Sequence, residues 1–83
     1  MTRFIDAHSN MKGLSNDQLI EAHRRDQANE GPHGVHFVHA WADPQSGKVF
    51  CLSEGPNKEA VQRVHTASGH PADEIYEVPL EVE

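Results

Sequence analysis

The chain has 83 residues and a hydrophobic fraction of 36%, which predicts one domain over residues 1–83 with a marginal core. Chains of this size often bury further apolar surface by dimerisation, so we expect a homodimer. The formal net charge of −6 and the lack of a basic stripe argue against nucleic acid as a partner.

The cysteine and histidine content indicates the cellular compartment of the protein and the kind of ligand that it can bind. The single cysteine forms no intrachain disulfide, which fits a reducing cytoplasm. The first residues lack the apolar run of a signal peptide, and no segment has the length of a membrane span, so we expect no membrane partner. Seven histidines, mostly neutral at pH 7, are available as ligands for a divalent metal ion.

The first two predicted elements are a strand and a helix. Polar and apolar residues alternate over residues 3–9, which predicts a first strand. Ser15 and Gln18 have the spacing of a capping box, and the helix that they start runs to about Asn29. The pair Gly31-Pro32 then ends this helix.

The stretch Val35–Glu54 predicts a β-hairpin, because aromatic and β-branched residues fill two arms around a turn rich in Asp, Pro and Gly. If Asp43 faces Lys48 across the turn, Ala40 lies opposite Cys51. A bulge near the turn would shift this register by one residue. The unshifted register places six side chains on one face of the sheet: Phe37, His39, Trp41, Phe50, Leu52 and Glu54.

A second helix and a last strand complete the chain. Asn57 is the predicted N-cap of the helix, which ends at Gly69. Residues 73–82 alternate and predict a strand, with Pro79 at a sheet edge or a bend. The resulting βαββαβ order predicts an α+β ferredoxin-like fold, with a four-stranded antiparallel sheet and both helices on one face. The other face is too apolar to stay exposed, which is a second reason to expect a homodimer.

Several short motifs resemble those of a bacterial family of small nickel-binding proteins, long labelled a domain of unknown function. They are Cys51–Glu54, the Glu-Ala-Val-x-x-x-His run Glu59–His65, and the Gly-x-Pro-Ala-Asp run Gly69–Asp73. The likeness extends more loosely back to the first strand. The resemblance implies a ferredoxin-like α+β fold, a dimer, and binding of a divalent metal with nickel as the leading candidate. It implies no established catalysis and supplies no ligand set.

One candidate metal site combines Asp6 and His8 with His39 and Glu54. In a ferredoxin-like sheet the third strand lies between the first two, so side chains of one parity on these strands converge. Imidazole and carboxylate ligands suit nickel, zinc or copper. The alternative is that Asp6 and His8 only form hydrogen bonds within a dimer interface.

A second candidate metal site combines Cys51 with His23 and His65. Asp26 lies three residues after His23 on the predicted helix, where its carboxylate can orient the imidazole or bind the metal itself. Cys51 would add a soft thiolate ligand. The alternative is that Cys51 is a small buried hydrophobe and that the two histidines pack and form hydrogen bonds.

These residues favour a metal-binding protein that sequesters or buffers nickel, with copper, zinc or cobalt as alternative ions. Binding is then expected to weaken below about pH 6, as the histidines become protonated. A second hypothesis is a dimeric α+β-barrel enzyme or a small-molecule-binding module such as a small monooxygenase. It requires an enclosed pocket for an organic ligand between the sheet and the helices. A third hypothesis is a regulatory module that senses the metal.

Overall fold

The computed structural model describes residues 1–83 and has the predicted βαββαβ order. The elements are β1 (Thr2–His8), α1 (Asn16–Glu30), β2 (His36–Asp43), β3 (Lys48–Gly55), α2 (Lys58–Ala67) and β4 (Glu74–Glu77). The four strands form one antiparallel sheet in the order β2-β3-β1-β4. With two helices packed on this sheet, the chain has the predicted ferredoxin-like α+β fold.

Side-chain caps determine where both helices begin, as the sequence predicts. The Gln18 amide donates to Ser15 Oγ at 3.1 Å, and the Ser15 amide donates to Gln18 Oε1 at 2.9 Å. At the start of α2 the Ala60 amide donates to Asn57 Oδ1 at 2.8 Å. These bonds satisfy amide groups that have no partner within the first helical turn. No helix of the chain has both the length and the apolar character needed to cross a membrane.

The hairpin has the predicted register near its turn and a bulge farther away. Asp43 pairs with Lys48, and Ala40 pairs with Cys51. The register shifts between Phe37 and His39, so Phe37 faces the helices and is 1% exposed. The prediction that Phe37 lies on the open face is therefore wrong, because one extra residue in a strand reverses the side-chain alternation beyond it.

The last strand is shorter than the sequence predicts. β4 ends at Glu77, and only one further amide, that of Val78, bonds to the neighbouring strand, at 3.0 Å from the Arg3 carbonyl oxygen. Pro79 has no amide hydrogen and cannot continue the ladder. The chain therefore leaves the sheet at Pro79, and the predicted strand over residues 80–82 does not form.

The hydrophobic core lies between the sheet and the helices. α2 presents an apolar stripe to the sheet because its inward residues recur at spacings of three and four. The members of the core cluster are Phe4, Val35, Phe37, Cys51, Ala60, Val61 and Val64.

The sheet face away from the helices is apolar and open. Trp41, Phe50 and Tyr76 are 49%, 40% and 54% exposed on this face. Ile5 and Leu52 form a pair between them and are half-buried. We call these residues the open face.

Candidate metal centre

His65 lies at the centre of a buried polar cluster. It follows the buried residues Val61 and Val64 on α2, so its ring points toward the sheet. Its Nε2 lies 2.8 Å from Asp6 Oδ2, and its Nδ1 lies 3.1 Å from Asp26 Oδ1. Asp6 is on β1 and Asp26 on α1, so three elements converge on this ring.

The two carboxylates keep the His65 imidazole charged. Burial opposes that charge, but the hydrogen bonds to Asp26 and Asp6 outweigh it and raise the pKa of His65 to about 9. Burial would likewise raise the pKa of each carboxyl group, but the neighbouring imidazoles hold both pKa values below their usual range. At neutral pH the ring is therefore an imidazolium that donates to a carboxylate on either side.

Asp6 and His8 lie close together without forming a hydrogen bond. They are two residues apart on β1 and share a face of the sheet, and His8 Nε2 is 3.0 Å from Asp6 Oδ1. Both atoms are fully buried, and neither has a hydrogen-bond partner. Two ligands at right angles around an ion, each with a bond of about 2.1 Å, are about 3.0 Å apart. The pair therefore has the spacing of adjacent metal ligands.

Cys51 completes the inner group of donors. It pairs directly with Asp6 across β1 and β3, so the two side chains lie on the same face. The donor atoms of Asp6, His8, Cys51 and His65 all lie within 4.8 Å of one another. Burial raises the pKa of the Cys51 thiol, and the charges of Asp6 and Asp26 raise it further. Cys51 is therefore a thiol until a cation displaces its proton.

A second group of donors lies on the other side of His65. His70 Nε2 is 2.9 Å from Asp26 Oδ1, the same oxygen that contacts His65 Nδ1. Donor atoms of Asp26, His65 and His70 lie within 4.8 Å of one another. Nε2 of His65 therefore faces Asp6 in the inner group, and Nδ1 faces Asp26 in the second group.

A small cavity lies beside this cluster, between the sheet and α1. Its volume is about 20 Å³, enough for one water-sized occupant. His8, His23, Cys51, Asp26 and His70 all contribute to its lining, together with apolar side chains. The Nδ1 atom of His23 is buried and has no hydrogen-bond partner.

The structure combines parts of the two site hypotheses drawn from sequence. Asp6 and His8 of the first come together with Cys51 and His65 of the second. His23 lines the adjoining cavity.

His39 and Glu54 lie apart from this cluster. His39 pairs with Leu52 on the open face, where its ring centroid is 5.7 Å from that of Trp41. Glu54 Oε2 contacts Arg3 Nε at 3.3 Å. The predicted grouping of both residues with Asp6 does not form, because alternate residues of β1 and β3 point to opposite faces.

Reasoning from sequence missed the position of His70, which follows a helix end and there suggests only a cap. The amide of His70 bonds to the His65 carbonyl oxygen at 3.0 Å, and Gly69 has a φ of +87°. This turn folds the chain back over the last turn of α2. The short spacing between His65 and His70 across a terminal glycine is the signal that identifies the pair.

Comparison with known proteins agrees with this fold. The family described as "Nickel responsive protein SCO4226-like" matches residues 4–78. The crystal structure of SCO4226 from Streptomyces coelicolor A3(2) has a TM-score of 0.95 against this chain and is 57% identical to it, covering 96% of this chain and 99% of its own. No curated protein matches the chain. The resemblance noted in the sequence is thereby confirmed, and the chain belongs to the SCO4226-like family of nickel-responsive proteins.

Proposed function

We propose that this protein binds a nickel ion at the inner group formed by Asp6, His8, Cys51 and His65. The observation that carries the proposal is the contact of Asp6 Oδ1 with His8 Nε2, two buried atoms 3.0 Å apart and without hydrogen-bond partners. Leaving a buried polar atom unsatisfied costs about 1–3 kcal/mol. A cation between the two atoms would remove that cost for both.

The donor types suit a late first-row divalent ion. The inner group offers carboxylate oxygen, imidazole nitrogen and a thiol sulfur, whereas magnesium and calcium prefer oxygen ligands alone. Affinity at such a site rises along the series toward nickel and copper. The family description supports nickel, and copper, zinc and cobalt remain alternative ions.

Charge in the cluster also favours a cation. The carboxylates of Asp6 and Asp26 and the imidazolium of His65 together carry a net charge of −1. An incoming divalent ion replaces the His65 Nε2 proton and the Cys51 proton. Binding is therefore expected to release protons and to weaken as the pH falls.

Burial of the inner group fits storage or buffering better than catalysis. The side chains of Asp6 and His65 are 0% exposed, so a bound ion has little access to an organic substrate. Apart from the cavity of about 20 Å³, side chains fill the space between the sheet and the helices. Organic ligands occupy pockets of roughly 300–1,000 Å³. The small volume of this cavity therefore favours metal binding over the monooxygenase hypothesis.

Calorimetry on protein stripped of metal with a chelator tests the proposal. We expect nickel to bind wild type near pH 7.5 and His8→Gln to weaken binding by about 10-fold to 100-fold. His36→Gln is the matched control, because this ring is on the protein surface beside Glu30. Wild type with a dissociation constant no tighter than about 1 mM, or equal affinity in His8→Gln, would refute the proposal.

A homodimer formed through the open face is part of the same proposal. Exposed Trp41, Phe50 and Tyr76 are the kind of aromatic residue that interfaces bury. Light scattering is expected to give twice the monomer mass for wild type and the monomer mass for Trp41→Glu. A monomeric wild type would contradict this point and would leave the metal site untouched. A cytoplasmic location is likewise proposed, and it rests on the single cysteine.

A further inference from the structure

We propose that the ion reaches the inner group through an outer position formed by Asp26 and His70, and that His70 hands it inward past His65. This inference rests on the proposed nickel site and adds the route by which that site is filled and emptied. It concerns one ion that occupies two positions in succession.

A gradient of exposure points to His70 as the outermost donor. The side chains of His65 and Asp26 are 0% and 2% exposed, whereas that of His70 is 20% exposed. His70 also lines two spaces, the small cavity beside the cluster and an open groove on the surface that includes Gln18 and Gly69. Its ring therefore stands between solvent and the buried donors.

The rest of the cavity wall offers an ion few ligands. Besides His70, the residues that line both the cavity and the groove are Met11, Leu14 and Ala22, and only the thioether of Met11 among them has any affinity for a metal. A bare cation loses its hydration shell only where other donors replace it. His70 provides such a donor where the cavity adjoins the surface groove, with the buried Asp26 bonded behind it, so the ion passes there.

The spacing of the imidazole rings permits a direct transfer. The ring centroid of His70 lies 5.6 Å from that of His65 and 5.7 Å from that of His8. With metal–nitrogen bonds of about 2.1 Å, two imidazoles that share one ion have centroids no more than about 6.5 Å apart. The ion can therefore bind His65 or His8 before it leaves His70.

His23 adds a further imidazole to the wall of the cavity. It lies three residues before Asp26 on α1, so both side chains are on the same side of the helix. Its buried Nδ1 has no partner, and its ring lines the same cavity as His70. An ion in the cavity therefore meets the His23 imidazole as well, although His23 lies outside the group formed by Asp26, His65 and His70.

The backbone around His70 holds the residue in place, while its side chain borders an open groove on the surface. The His70 amide is bonded to the His65 carbonyl oxygen at 3.0 Å. Its side chain is 20% exposed and borders the surface groove, so a change of rotamer can move its Nε2 away from Asp26.

Stopped-flow kinetics on the full chain test the route, with nickel mixed against metal-free protein and a chelator mixed against loaded protein. In His70→Gln we expect association and dissociation each to slow by about tenfold, with a dissociation constant within about threefold of wild type. His23→Gln should slow both rates in the same direction. His36→Gln is the control and should match wild type.

The outcomes separate this inference from the proposed function. If wild type binds no nickel, the proposed function and the proposed route are both refuted. If wild type binds nickel and His70→Gln keeps wild-type rates, or exchanges nickel faster, only the route is refuted. A His70→Gln variant that loses as much affinity as His8→Gln at an unchanged association rate would make His70 a permanent ligand and would also refute the route.

Discussion

The imidazole of His65 and the carboxylate of Asp6 meet at 2.8 Å, and both side chains are completely buried. Removing one partner of such a pair leaves an uncompensated charge in the interior. A chain of 83 residues has only a small margin of stability to set against that cost. The donors proposed to hold the ion are thus also residues on which the fold depends.

The raised pKa of His65 predicts that the metal-free protein loses stability in alkali. That pKa rises from 6.5 to about 9 on folding. The resulting stabilisation is complete below pH 6.5 and is lost as the pH rises through about 9, because the folded protein must then release its extra proton. The loss is on the order of 3 kcal/mol, since each pKa unit corresponds to about 1.4 kcal/mol.

The carboxylates of Asp6 and Asp26 make the stability of the protein fall at low pH rather than at high pH. Their pKa values are held below 3.8, so their stabilisation is complete above that pH and is lost as the pH falls further. Stability is therefore greatest between pH 3.8 and 6.5 as far as these three groups decide it. Urea unfolding at pH values below, within and above this range measures the free energy of unfolding, and NMR of the histidine rings measures the pKa of His65. A His65 ring that titrates near pH 6.5 would contradict the prediction.

Asp26→Asn is expected to destabilise the metal-free protein by about 3–5 kcal/mol. The amide keeps the size of the side chain but removes the charge that His65 and His70 face. Glu21→Gln is the control on the same helix, because Glu21 forms only an exposed pair with Arg25 and should cost about 0.5 kcal/mol or less. Equal losses in the two variants by urea unfolding would show that the buried charge is unimportant.

Sequence patterns predicted the parts of the fold that depend on local chemistry. Ser15 and Asn57 cap their helices through their own side chains, and the turn between Asp43 and Lys48 determines the hairpin register. These features need only neighbours in the chain.

The bulge was not predictable, because it depends on a distant residue. Glu30 Oε2 accepts the Phe37 amide at 2.8 Å, just where the register shifts. Its carboxylate comes from the end of α1 and takes the place of a strand partner. The alternation of residues within β2 therefore cannot predict where the bulge lies.

Periodicity likewise gave the alternation of side chains along each strand but not which side chains meet across strands. Asp6 and Cys51 were assigned to separate sites, although they are direct partners across β1 and β3. Their meeting with His65 depends on where α2 crosses the sheet, which is a property of core packing. Each of the two site hypotheses therefore contained two of the four residues that form the inner group.

Gly47→Ala is expected to destabilise the protein by about 2–4 kcal/mol, more than a matched glycine in the neighbouring loop. Gly47 has a φ of +79°, and a Cβ there would lie 2.9 Å from the Lys12 backbone nitrogen and 3.0 Å from that of Met11. Gly13→Ala is the control, since its φ is +80° and nothing lies within 4 Å. It should show only the backbone strain, about 1–2 kcal/mol.

The difference between these two variants measures how tightly the loop is held against the hairpin turn. The Met11 amide already bonds to the Gly47 carbonyl oxygen at 2.9 Å, so the loop cannot retreat without losing that bond. If Gly47→Ala and Gly13→Ala lose the same stability on thermal unfolding, the loop moves freely over the turn and the prediction is wrong.

Cys51→Ser tests whether the thiol is a ligand of the bound ion. Loading metal-free wild type with nickel or cobalt should produce a near-ultraviolet charge-transfer band, because a coordinated thiol is deprotonated. The serine variant keeps the shape of the side chain and should lose this band while it retains imidazole and carboxylate ligands. Ser53→Ala is the control on the same strand, since its hydroxyl is buried and lies outside the donor group. A band that persists in Cys51→Ser, or a wild type that never shows one, would remove Cys51 from the ligand set and leave Asp6, His8 and His65.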